Sequence, residues 1–165
     1  MLGGESVKRG SPSADCVGPA AVEGHVVERV GVSGASVTLL SADGLEIRGC
    51  DAIAAGTTAG WAWCGHAFAR LHAGRLRDPR LSLSCRDAGG ESVGFAWIEP
   101  HSATEYVVVA QPGHNEVYPA SGDLPVRIAT HDVDLATASA AFAVSEHARN
   151  GRRLRSYELE ARVSG

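Results

Sequence analysis

The dipeptide Asn150-Gly151 constrains this chain more than any other feature. Asn-Gly is the favoured sequence for a two-residue type I′ hairpin turn, and it sits between two runs of alternating apolar residues. Placing the turn there fixes a register. Val144 faces Tyr157, Phe142 faces Leu159, Ala140 faces Ala161 and Ala138 faces Val163. All of these pairs are apolar, so they define one buried face. Ser145 opposite Ser156, Ala143 opposite Glu158 and Ser139 opposite Arg162 form the other, with Glu146 opposite Arg155 near the tip as an opposite-charge pair. A slip of one residue would turn Phe142 and Val144 to solvent. The C-terminus therefore reads as a β-hairpin that needs a further layer to cover its apolar face.

The remaining chain follows the same pattern. VEGHVVERV, from Val22, is a valine-rich strand candidate. SVTLL and LEIRGC flank Asp43-Gly44, a second hairpin signal that sets Leu40 opposite Ile47. Residues 51–59 read as loop or one helical turn. GWAWCGHAFAR alternates, with Trp61 and Trp63 on one face and Ala62, Cys64, His66 and Phe68 on the other. LSLSC places Leu81, Leu83 and Cys85 together, and SVGFAWIE groups Val93, Phe95 and Trp97. TEYVVVA is a further strand. Pro112, Gly113, Pro119 and Gly122 make 111–123 a long connection or a short edge strand. LPVRIAT directs Leu124, Val126 and Ile128 inward. Twenty glycines punctuate these runs. The expectation is an all-β fold of about eight to ten short, mostly antiparallel strands, sandwich-like or an open barrel. Residues 1–15 read as a flexible N-terminal tail and 16–165 as a single β domain.

A net charge of −4 gives no field favouring nucleic acid or an anionic membrane. No apolar run approaches the roughly 18 residues of a membrane-spanning helix. No apolar h-region marks the N-terminus as a signal peptide. Four cysteines, an even number, suggest two disulfides and hence a secreted or cell-surface setting. The preferred pairing is Cys50–Cys64 with Cys16–Cys85, which closes a local loop and ties the tail to the body. The rival is Cys64–Cys85 with Cys16–Cys50. No CxxC occurs, so neither a zinc knuckle nor a thioredoxin-like motif is present. Cys64 and His66, alternate residues of one strand, are weak metal-ligand candidates. Asp132 and Asp134 are equally weak candidates for calcium, because a dependable site needs about 6–8 oxygens.

Cys50, Trp63 and Cys85 follow the cysteine–tryptophan–cysteine order of immunoglobulin domains, but two features depart from that fold. Cys85 follows Trp63 too soon, and LSLS lacks the tyrosine two places before the second cysteine. Trp61, Trp63 and Trp97 are candidate ligand-binding residues, as an aromatic platform for a glycan, with core packing as the simpler role. No nucleophile elbow, HExxH or P-loop is present. Glu99, His101 and Glu105 cluster around Pro100 without a fixed carboxylate separation. Arg149, Arg152, Arg153 and Arg155 crowd the last hairpin, where charge discourages edge-to-edge association. The sequence therefore points to an extracytoplasmic, disulfide-stapled β domain acting as a binding or structural module for a protein or glycan partner, with no cofactor and no assigned catalytic residue. The alternatives are a small metal-binding protein or hydrolase built on Cys64 and His66, and an inhibitor-like domain presenting the 111–123 loop.

Overall fold

The computed structural model describes residues 25–30, 34–41, 43–54, 61–72, 75–76, 82–86, 90–120 and 124–163. These form twelve strands and no helix. The expected tail, residues 1–15, and Cys16 lie outside the described residues. No described helix is long and apolar enough to cross a membrane.

Three antiparallel sheets make up the fold, and none closes into a barrel. The first runs β1 (His25–Val30), β2 (Ala35–Leu40), β3 (Glu46–Ala54) and β4 (Trp61–Arg70) in chain order. The second is β5 (Ser82–Arg86), β6 (Ser92–Ile98) and β9 (Val126–Thr130). The third is centred on β11 (Ser139–His147). One edge of β11 pairs with β12 (Arg153–Arg162) and the other with β7 (Tyr106–Gln111) and the short β10 (Val133–Asp134). β8 (His114–Pro119) continues beyond β7.

The middle sheet is covered on both faces. Val93, Phe95, Trp97 and Ala129 pack with residues of the first sheet, among them Ile47, Ile53 and Ala69. Their alternates Ala96, Ile98, Val126 and Ile128 pack with Val107, Val109, Tyr118, Phe142 and Val144 of the third. That double cover explains why β9 is buried at all five positions and why SVGFAWI is so nearly continuous in apolar and small residues. It also forces Arg127 inside, fully buried on β9. There the guanidinium makes a two-point ion pair with the equally buried Asp51 of β3. Nε donates to Oδ1 at 3.0 Å and an Nη to Oδ2 at 2.8 Å. The same guanidinium lies 4.4 Å over the Trp97 ring, whose indole N–H donates to Thr38 of β2 at 3.0 Å. A charged and hydrogen-bonded core thus joins the first two sheets, where an unpaired charge would be prohibitively costly.

The final hairpin keeps the expected register from Ser139↔Arg162 to Glu146↔Arg155. The turn differs from the expected type I′. Gly151 N–H bonds to the Ala148 carbonyl, Gly151 alone takes positive φ (86°), and Ala148 N–H bonds to the Arg152 carbonyl. This is a type I turn followed by a left-handed glycine. The longer loop shifts the pairing by one residue, and a bulge between Glu146 and His147 shifts it back. Leu40↔Ile47 in the earlier hairpin also stands as expected, closed by Gly44 at φ 72° and by Asp43, whose carboxylate accepts from Leu45 N–H and the Ser41 hydroxyl. Residues 51–54, read as loop or helical turn, extend β3 instead. Within 111–123, read as a long connection or a short edge strand, residues 114–119 form the edge strand β8, turned at Pro112-Gly113.

Candidate functional site

A cleft of about 260 Å³ opens where the end of β6, the outer part of β12 and the segment after β4 meet. Its walls are Leu76, Ile98 and Leu159, backed by the buried Trp97. Three polar groups enter it: Glu99, Arg155 and Tyr157. Each is placed by a nearby strand feature. β6 ends at Ile98, just before Pro100, and delivers Glu99 to the rim. Arg155 and Tyr157 are alternate residues of β12, so they share one face.

Arg155 is held on three sides. It forms a two-point ion pair with Glu146, whose side chain is fully buried, and donates to the Glu99 carbonyl at 3.0 Å. Glu146 in turn accepts from His101 N–H at 2.7 Å and from the Thr104 hydroxyl at 3.4 Å. Hydrogen bonding to Glu146 raises the Arg155 pKa above its ordinary value. The Arg155 guanidinium also lies 5.2 Å from the Tyr157 ring centroid. Burial, with the Glu146 charge behind it, pushes the Tyr157 phenol up to about 12. The phenol therefore stays protonated at neutral pH, and its hydroxyl has no hydrogen-bond partner among the described residues. One carboxylate oxygen of Glu99 accepts from Leu76 N–H at 2.5 Å, and Glu99 has no ion-pair partner among the described residues. Glu146 neutralises Arg155, so the cleft's net charge is that of Glu99.

No family model, curated protein or solved structure matches the chain. Function must be read from the geometry alone.

The residues singled out in sequence are scattered by the fold. Trp97 is buried between sheets and is no part of an exposed platform. Trp61 and Trp63 lie on β4, opposite Ala54 and Ala52, and their side chains lie outside the described residues. The expectation of a metal or hydrolytic site at Cys64 and His66 is corrected. No group of three or more metal-binding side chains is assembled among the described residues, and neither Cys50 nor Cys64 is a free thiol. The strand is also bulged at this point. Cys50 pairs with His66 and Ala52 with Trp63, so Cys64 is an extra residue of β4 at a bulge that interrupts the strict alternation. Cys64 Sγ lies 3.4 Å from the Asp51 carbonyl oxygen and packs against the core of the first two sheets. Cys85 lies on β5 with its side chain outside the described residues, as Cys16 is altogether.

Asp132 and Asp134 do not converge on a cation. Asp134 caps a turn by accepting from Ala136 N–H at 2.9 Å, while the Asp132 carbonyl accepts from Ala141 N–H. Of the cluster around Pro100, only Glu99 reaches the cleft. The His101 ring accepts from Ala103 N–H, and Glu105 is exposed. Of the four arginines, Arg155 is anchored, and Arg149, Arg152 and Arg153 are exposed.

Two features escaped the sequence reading. The Glu146–Arg155 pairing is legible in the hairpin register, but the complete burial of Glu146 is not. Alternation puts Tyr157 on the buried face opposite Val144, and its place in the cleft wall does not follow from that pattern. The one available signal was the run of Arg155, Tyr157 and Leu159 on one face of an edge strand, where two polar tips share a face with an apolar wall.

Proposed function

We propose that the protein binds a small molecule with an apolar body and a protonated amine in the cleft between β6 and β12. The carrying observation is the half-buried Glu99 carboxylate beside a cleft whose only cation, among the described residues, is already paired with Glu146. An amine placed there meets Glu99 and the π face of Tyr157, and its carbon chain lies against Leu76, Ile98 and Leu159. A cation over an aromatic face is favourable by about 0.5–2 kcal/mol, depending on desolvation. A carboxylate ligand would meet Glu99 with like charge and find Arg155 occupied. The cleft is slightly smaller than the roughly 300–1,000 Å³ of drug-sized sites, which suits a short, compact amine.

Isothermal calorimetry with n-hexylamine and hexanoate tests the proposal. The amine binds and the carboxylate does not. Glu99→Gln weakens the amine by about 10- to 100-fold, the range for losing a charge-assisted hydrogen bond of about 1.5–3 kcal/mol. Equal binding of the two ligands, or amine binding indifferent to Glu99→Gln, refutes it.

A further inference from the structure

We infer a second site, on the opposite face of the third sheet: Ser145 and His147 form a nucleophile–base pair suited to acyl transfer from a small carboxylic ester. The two residues are alternate positions on β11 and share its outer face. Ser145 Oγ lies 3.0 Å from His147 Nε2, within reach for proton transfer. His147 Nδ1 lies 3.2 Å from the Gly151 carbonyl oxygen.

These two contacts determine the tautomer. A carbonyl oxygen only accepts, so Nδ1 must carry the proton and donate to Gly151. Nε2 is then left with its lone pair, and the Ser145 hydroxyl donates to it. This is the arrangement a general base requires, with a third group orienting the imidazole. Here the orienting group is a backbone carbonyl fixed by the left-handed Gly151 of the hairpin loop. The ring is held again by Tyr106 of β7, stacked at 4.9 Å between centroids with planes 3° apart. The register shift opposite Glu146/His147, where β12 carries the extra residue Leu154, offsets the loop that returns the Gly151 carbonyl.

Ser145 opens onto a groove of about 480 Å³ whose floor includes Val108, Ala110 and Ala143. Small side chains leave the sheet surface low there, so an acyl group can lie across it. Ser156, the cross-strand partner of Ser145, lines the same groove and carries a hydroxyl that can donate to a developing oxyanion. In the step inferred, Oγ attacks the ester carbonyl carbon as its proton passes to Nε2. The carbon–alkoxy bond then breaks, and the leaving oxygen takes that proton and departs as the alcohol. Water, deprotonated by the same nitrogen, cleaves the acyl-serine to the carboxylic acid and restores Ser145. No cofactor or redox partner is needed.

The test is covalent labelling with an alkyl fluorophosphonate, in which Oγ displaces fluoride from phosphorus. Intact mass and peptide mapping should show one adduct, on Ser145, in the full chain. Ser145→Ala should abolish it. His147→Gln should slow labelling by at least about 100-fold, the range of a lost general base, with unfolding midpoints confirming that both variants fold. No adduct on the native protein, an adduct on another residue, or His147→Gln labelling at the native rate overturns the inference. Binding of amines in the β6–β12 cleft is read separately, by calorimetry with Glu99→Gln, so the two proposals fail independently.

Discussion

Replacing Arg127 by methionine should be among the most damaging single substitutions in the molecule. The side chain is fully buried, makes two hydrogen bonds to Asp51 and lies over Trp97. Methionine fills much of the space but leaves the Asp51 carboxylate buried without its guanidinium. Removing one partner of such a pair costs about 3–5 kcal/mol. Against a total stability of about 5–15 kcal/mol, that is a large fraction. At about 2–4 °C per kcal/mol for a domain of this size, the melting temperature should fall by about 6–20 °C. The pair as a whole is a different matter, because an apolar replacement of both members is often neutral or stabilising. The double variant Arg127→Met/Asp51→Leu should therefore recover most of the loss. Urea unfolding followed by tryptophan fluorescence measures both, and the cycle should give a coupling energy above about 2 kcal/mol. An Arg127→Met protein within about 1 kcal/mol of the native one, or strictly additive single changes, refutes the argument that this pair carries a charge through a closed core.

Gly34→Ala should destabilise by about 1–3 kcal/mol by overpacking, since an added Cβ would sit 2.7 Å from the Ala52 carbonyl oxygen and 2.8 Å from the Phe95 ring; a urea midpoint with unchanged slope reads it. Tyr157 gives a pH test. Its folded pKa is raised from 10.0 to about 12, so between those values the folded state holds a proton that the unfolded chain has lost. Its contribution to stability is complete below about pH 10 and is lost as pH rises towards about 12. Urea midpoints should therefore fall more steeply across that range in the native protein than in Tyr157→Phe.

The hairpins were the legible part of this fold, because turn chemistry and alternation act within a few residues. Leu40↔Ile47 and Phe142↔Leu159 follow from the sequence alone. The last register nevertheless has a different cause from the expected one: a loop with one extra residue and a bulge with one more cancel each other. Sheet order was not legible. It is set by long-range contacts, such as Arg127 with Asp51 across 76 positions, and no local pattern marks them. A stronger hint lay in SVGFAWI. A strand so nearly free of polar residues requires cover on both faces, and its neighbour β9 must share that cover, which places Arg127 inside. Alternation alone places Cys64 and His66 on one face, but β4 carries a bulge at Cys64 that no local pattern marks. Ser145 and His147 carried no recognised motif, because their pairing depends on the Gly151 carbonyl and the Tyr106 ring, which the fold brings to them.

The most direct measurement of the central claim, that the β6–β12 cleft is the ligand site, is a heteronuclear NMR titration of the full chain with n-hexylamine. The account predicts saturable shifts concentrated at Leu76, Ile98, Glu99, Arg155, Tyr157 and Leu159, with the first sheet and the outer face of the third unmoved. Shifts spread across the surface, or confined to any other face, would contradict it.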